Sequence, residues 1–296
     1  MFILKFKKIF FTLALLLVAG SLVGIFTKGF NWGIDFTGGS VVEIEYTAQV
    51  PSVEQVQATV KTSLPEATVQ QVGENGFLIR TEVLTQVQKD ELLQTIQSTG
   101  EFTEKRFNTI GPSIGKELRT KSIISIILIS LAITIFIGIG FRSVSKPVAS
   151  WKYGLIVVAV LLHDILIPAG FFAWTGLQID TLFVVGILTI LGVSVHDTIV
   201  VFDRIRENLK RFHQGKNALP FAEIVGKSIS ETFTRSIMTS VTVLLALLAL
   251  VLFGPQSTHS LSITMLLGMF FGTYSSIFVA APLLVVWNNW QENKKP

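Results

Sequence analysis

The sequence predicts an α-helical polytopic membrane protein of six transmembrane helices, with one small ferredoxin-like α+β domain outside the cytoplasm. Three observations carry that reading. Half of the 296 residues are hydrophobic and only 15% are charged, too oily for a soluble domain of this length. Six uncharged or nearly uncharged apolar runs recur, each near the ~20 residues that cross a bilayer. Between the first two runs the pattern changes, over Lys28 to Thr120, to polar alternation with 8 Lys/Arg and 12 Asp/Glu.

The runs are Ile9 to Thr27, Ser122 to Phe141, Tyr153 to Trp174, Thr181 to Phe202, Ser236 to Phe253 and Leu261 to Val286. All five tryptophans, Trp32, Trp151, Trp174, Trp287 and Trp290, lie at or just beyond a run's end. That is the headgroup level, where a half-polar ring is most stable. An N-terminal signal peptide is the alternative for the first run, but its 18 apolar residues exceed a usual signal core. Lys5, Lys7 and Lys8 precede the first run. Arg142, Lys146 and Lys152 follow the second, Arg204 to Arg235 hold seven Lys/Arg, and Lys294 and Lys295 close the chain. The intervening loops "TGLQID" and "GPQSTHS" have none, so both termini are placed in the cytoplasm.

The domains expected are 1–27 as the first span, 28–120 as the external domain, and 121–296 as five further spans with a cytoplasmic loop at about 203–235. In the external domain, "SVVEIEY" alternates Val42, Ile44 and Tyr46 onto one strand face. Val53, Val56, Val60 and Leu64 recur at helical spacing, as do Val87, Leu92, Leu93 and Ile96. "ATVQQV" and "GFLIRT" flank "GEN" as a hairpin, and "EFTEKRFNTI" closes as a strand. The order is β-α-β-β-α-β, the split ferredoxin-like arrangement. In the cytoplasmic loop, Phe221, Ile224, Val225 and Ile229 form an amphipathic stripe, which reads as a surface-lying helix or as a solvated linker helix.

Several classes of chemistry are excluded. There is no cysteine, hence no disulfide or thiolate metal site. Four scattered histidines offer no metal-binding pair, and a net charge of +4 does not suggest nucleic acid. No nucleophile triad or phosphate loop is present. "GIDFTGGS" after the first span resembles a phosphate cradle, but a strand follows it where a helix is required. Asp35, Gly38 and Gly39 therefore read as a structural turn. That leaves the ionisable residues inside the spans. Asp164, next to His163, falls mid-way through the third. Asp197, next to His196, lies near the cytoplasmic end of the fourth, and Arg235 opens the fifth. Charges placed there usually mark ion or proton paths, with structural ion pairs or snorkelling as the alternative. Asp197 and Arg235 fall at similar depth and can pair if their helices touch. Thr232, Thr239 and Thr242 share Arg235's face, and Glu231, four residues before Arg235, is a rival partner. Gly268 and Gly272 suit close helix packing.

"GIDFTGGS", "GPSIGKEL", "LLHD", "DTIVVFDRIREN" and "TRSIMTS" together, in this order along nearly the whole chain, resemble the SecF family of the bacterial protein-export machinery. The resemblance implies one half of an RND-type membrane fold in the bacterial inner membrane. It implies a SecD-like partner supplying the other half, the SecYEG channel and a preprotein as further partners, and export driven by the proton motive force without a cofactor or enzymatic step. It places the family's proton-relay aspartate on Asp197 and its essential arginine on Arg235. Asparagine more often precedes that aspartate; here it is His196. His163, Asp164, His196 and Thr239 remain accessory or structural candidates. The alternatives are an RND-type exporter of small molecules, for which ~90 external residues are few, and a non-conducting membrane scaffold.

Overall fold

The computed structural model describes residues 2–141, 148–212 and 218–293. It divides into two compact units, Trp32–Ile123 and the combination of Met1–Asn31 with Ile124–Pro296. Arg142, Lys146, Lys216, Lys294 and Lys295, which contribute to the charge asymmetry, lie outside the described residues.

The smaller unit is a four-stranded antiparallel sheet backed by two helices. Its elements are β1 (Gly39–Tyr46), α2 (Val53–Ser63), β2 (Thr68–Val72), β3 (Gly76–Thr81), α3 (Gln86–Ile96) and β4 (Phe102–Ile110), with α1 reserved for the preceding membrane helix Lys7–Lys28. The strand order is β2-β3-β1-β4, the ferredoxin-like order, with Val42 opposite Ile79 on one side and Phe107 on the other. Strand alternation turns Val42, Ile44 and Tyr46 onto one face. There they meet Val56 and Val60 from α2 and Leu92 and Ile96 from α3, all buried. Both helices start in a capping box, Ser52 with Gln55 and Thr85 with Gln88, satisfying amides that a helix start leaves unpaired. Val87, expected on the buried stripe of α3, is instead 67% exposed. It lies in the first turn, five residues before Leu92, and five residues carry a side chain well past the face shared at three or four. Ahead of β1, Ile34–Thr37 make a single helical turn. Gly38 (φ 77°) and Gly39 (φ 132°) then swing the chain into the strand, in a conformation side chains resist. A Cβ on Gly38 would also sit 2.7 Å from Pro112 Cα.

The membrane unit contains α1, then α4 (Pro112–Gly140) from Ile124 onward, α5 (Ser150–Thr175), α6 (Thr181–Phe212), α7 (Phe221–Phe253) and α8 (His259–Ser275). A π-helical turn, Ser276–Ala280, carries α8 into α9 (Ala281–Glu292). Six helical segments among the described residues are long and apolar enough to cross a membrane. The fourth and fifth spans outrun expectation. Helices α6 and α7 have 32 and 33 residues; at about 1.5 Å per residue each is near 50 Å, well beyond a ~30 Å hydrocarbon layer. The stripe Phe221, Ile224, Val225 and Ile229 is therefore neither a separate surface helix nor a solvated linker. It is the buried first third of α7, in one core with Phe202, Ile205 and Leu209 of α6. Its apolar spacing is the same in both settings; the partner face supplied by the extension of α6 is what the sequence pattern lacks.

Candidate functional site

Two polar centres lie within the helices, and both depend on α6. Asp164, on α5, is fully buried. Its Oδ1 is 2.8 Å from His163 Nδ1. Its Oδ2 accepts from Ser194 Oγ of α6 and, at 3.0 Å, from Ser275 Oγ of α8. The glycines of α8 make this possible. A Cβ on Gly268 would sit 2.1 Å from Ile190 Cδ1, and one on Gly272 3.2 Å from Ser194 Cβ, so α8 rides on α6 in close contact. The π turn then begins at Ser276, whose Oγ is 2.8 Å from Thr198 Oγ1. One extra residue in the turn places Ser275 on α5 and Ser276 on α6 together; such turns recur at functional sites. The His163 ring stacks on Tyr274 with centroids 6.2 Å apart. Tyr274 donates from its hydroxyl to the Phe10 carbonyl of α1 at 2.7 Å.

Asp197 lies one helical turn beyond Ser194 on α6 and is also buried, but its contacts are sparse. Ser240 Oγ of α7 is 3.4 Å from Oδ2, and Thr273 Oγ1 of α8 is 2.7 Å from Ser240 Oγ. His196 Nδ1 is 3.6 Å from Oδ1, beyond hydrogen-bonding range. The His196 side chain is 73% exposed, so it flanks Asp197 from outside the bundle.

Arg235 does not pair with Asp197. It is exposed and takes part in none of the ion pairs among the described residues. The buried line of α7 runs through Thr232, Ser236 and Ser240 at four-residue spacing, so Ser240 reaches Asp197 while Arg235, one position off that line, faces away. The rival Glu231–Arg235 pair is not formed either. Glu231 accepts from Arg204 Nε at 2.6 Å and from Asn208 Nδ2 at 2.8 Å, and Arg204 also reaches Glu207 at 2.5 Å. Asn208 further donates to Ser228 Oγ at 3.0 Å. These bonds clamp the end of α6 to the start of α7. Of the three threonines near Arg235, Thr232 is buried, while Thr239 and Thr242 are exposed and return their hydroxyls to carbonyls of their own helix. Among the described residues no three His, Asp or Glu side chains converge as a metal site needs.

Sequence reasoning singled out both aspartates but missed their partners Ser194, Ser240 and Ser275, and Thr273, which bonds Ser240. The available signal was small hydroxyl residues at helical spacing inside apolar runs, such as Ser194 and Thr198 around Asp197. Serine also occurs in spans simply bonding its own backbone, and that weakens the signal.

Two family descriptions match. "Protein export membrane protein SecD/SecF, C-terminal" covers residues 88–290, and "SecD/SecF GG Motif" covers 23–50, which includes Gly38 and Gly39. The protein translocase subunit SecF of Sebaldella termitidis is 37% identical over 99% of this chain and 94% of its own length. That of Thermobaculum terrenum is 37% identical over 97% and 94%. The crystal structure of SecDF, a translocon-associated membrane protein from Thermus thermophilus, superposes with a TM-score of 0.86 at 34% identity over 97% of this chain. A SecDF structure in a super-membrane-facing form gives 0.71 at 32% identity. The chain spans only about two fifths of those solved SecDF chains. With near-complete coverage of the SecF subunits at this identity, and a matching six-span fold, the chain belongs to the SecD/SecF family of protein-export membrane proteins, as a SecF-type translocase subunit.

Proposed function

We propose that this chain is one half of a proton-driven motor that assists preprotein translocation, working with a SecD-like partner beside the SecYEG channel. It resides in the bacterial inner membrane with both termini cytoplasmic, uses no cofactor and makes or breaks no covalent bond of the preprotein. Asp197 carries the proton, and Arg235 biases it or orders water near it. The observation that supports this most is the mismatch between the two residues. Asp197 is buried in an apolar helix with no hydrogen-bond partner nearer than 3.4 Å among the described residues. Arg235 sits one position off the face that reaches it and points out of the chain's own bundle. A buried carboxylate is costly in a membrane and by default marks a functional site, and an outward arginine with no ion pair among the described residues calls for a neighbour. A second RND half packed against α7 supplies both needs.

The lysine and arginine pattern supports the orientation. The length covered in the solved SecDF chains, about two fifths, leaves room for the SecD half. Arginine stays protonated at all physiological pH, so it cannot itself be the carrier. The test is Asp197→Asn in cells exporting a reporter preprotein under an imposed proton gradient. Asparagine keeps the size but cannot exchange a proton. Gradient-dependent export is expected to vanish while membrane level and partner association persist; normal export would remove the relay and leave a scaffold.

A further inference from the structure

We infer that Asp164 is a second proton-holding carboxylate, exchanging with Asp197 through the Ser194 hydroxyl. The inference rests on Asp197 being a carrier, and extends the path from it into the interior of this chain.

Ser194 stands between the two carboxylates. Its Oγ donates to Asp164 Oδ2. The same residue lines a cavity of about 30 Å³ with Asp197, Gly272 and Thr273. A water needs about 10–15 Å³ of such space together with polar partners. Ser194, Asp197 and Thr273 are polar residues on its border, and we place one water there, between the serine and the second carboxylate. The rest of the wall, with Ile190, Val193 and Leu247 among it, is apolar.

Asp164 has the surroundings of a group that changes state rather than of a fixed ion pair. It is fully buried, yet among the described residues none of its hydrogen-bonding side chains is a lysine or arginine; they are His163, Ser194 and Ser275. A permanently ionised carboxylate buried in a membrane helix calls for a permanent cation. Histidine is the one partner that can give or take a proton near neutral pH. His163 is itself buried, and its Nε2 has no hydrogen-bond partner among the described residues. The groups facing this centre from the packed helices are Thr198 and Asp197 on α6, Ser240 on α7, Thr273 and Tyr274 on α8, and Ser276 at the start of the π turn. Ser194 precedes Asp197 by three residues, about 4.5 Å of rise, on the side nearer the start of α6. With α6 running inward, a proton entering from outside meets Asp164 first.

The step balances. When Asp164 is protonated the bond to Ser194 reverses: the carboxyl O–H donates to Ser194 Oγ and the serine hydroxyl turns to the bridging water. The carboxyl then gives its proton to Ser194 Oγ while Ser194 passes its own to that water. That water releases one proton to the Asp197 carboxylate. One proton leaves Asp164 and one arrives at Asp197, and only O–H bonds are exchanged.

The experiment uses the assembled complex with its SecD-like partner. It measures gradient-driven export against external pH, and infrared difference spectra of protonated carboxyl groups over a pH titration. Ser194→Ala removes the hydroxyl and little volume. It is expected to slow export about tenfold or more, with a changed pH profile and normal assembly. Asp164→Asn is expected to remove one titrating carboxyl band beyond that lost in Asp197→Asn. A purely structural knot predicts otherwise: any loss in Ser194→Ala would be the same at every pH. That outcome overturns the proposal, as does parental export by Ser194→Ala, or a set of titrating bands unchanged in Asp164→Asn. If Asp164→Asn does not assemble, the Ser194→Ala pH profile decides. Loss of export in Asp197→Asn with full activity in Ser194→Ala sinks only this inference; export retained by Asp197→Asn sinks the relay beneath it.

Discussion

Helices α5 and α6 differ from α4 and α7 in what they do with their surfaces. In α5 and α6, 56% of the most apolar window is buried within this chain; in α4 the figure is 6% and in α7 17%. All four are apolar enough to span, so hydropathy does not separate them. The inner pair is set by small residues and internal hydrogen bonds. A Cβ on Gly170 of α5 would lie 2.4 Å from Ser21 Cα of α1, and Trp174 donates to the Gly20 carbonyl at 2.9 Å. The outer pair shows Ile127, Leu131, Ile135, Met238 and Leu245 to its surroundings. The two kinds of helix therefore answer to different partners: the inner ones to this chain, the outer ones to lipid or a second half. Asp164 belongs to the first region, Arg235 to the second, and Asp197 sits where they meet.

If that division holds, Gly170→Val gives the largest structural effect. The added carbons would strike the backbone of α1, which has no rotamer to change. The amount of inserted, protease-resistant chain is expected to fall about tenfold or more, whether or not a partner is co-expressed. A normal level would mean that α1 and α5 do not pack as described. Arg235→Met sharpens the other side. The inserted level should stay within about twofold while gradient-driven export is nearly lost, and Arg235→Lys should keep part of it because the charge remains. Export and level falling together would move Arg235 into this chain's own packing.

Asn208→Ala tests the clamp between the two regions. It removes donors to Ser228 and Glu231 and leaves a buried acceptor short of a partner. The expected cost is about 1–3 kcal/mol, read as a lower melting temperature of the purified complex. Export at low temperature should change little. An unchanged melting temperature would mean that the α6–α7 contact is carried without Asn208, by the Arg204–Glu231 pair and the apolar contacts of Phe202, Ile205 and Ile224.

The same division explains what could be read from the sequence. The spans were legible because burying backbone in lipid demands long apolar runs, and the small domain because its periods switch between two and nearly four residues. Asp164, Asp197 and Arg235 stood out as charges in oil. Their relations did not. Whether Arg235 faces Asp197 turns on one residue of helical phase, and phase on α7 is fixed by Ser236 and Ser240, which resemble ordinary span serines. The ends of α6 and α7 were missed for a related reason: the sequence turns polar at Asp203, but the helices continue because they bury Ile205, Leu209, Ile224 and Val225 against each other.

The smallest effect is expected at Thr239, one turn beyond Arg235 on the outer face. Its hydroxyl lies 2.8 Å from the Arg235 carbonyl and 3.0 Å from that of Ser236, so its proton is used within its own helix. A hydroxyl in that position can still accept a bond from a water but has no proton to offer onward. Thr239→Val keeps the shape and the branched carbon while removing the oxygen. If the outer face of α7 acts through Arg235 alone, export and its pH profile should stay within about twofold of the parent. Should a row of hydroxyls order water along that face, the same substitution must slow export and change its pH profile without altering the inserted level. That result would shift part of the path from the inner helices, where Ser194 and Ser240 lie, to the surface that meets the partner.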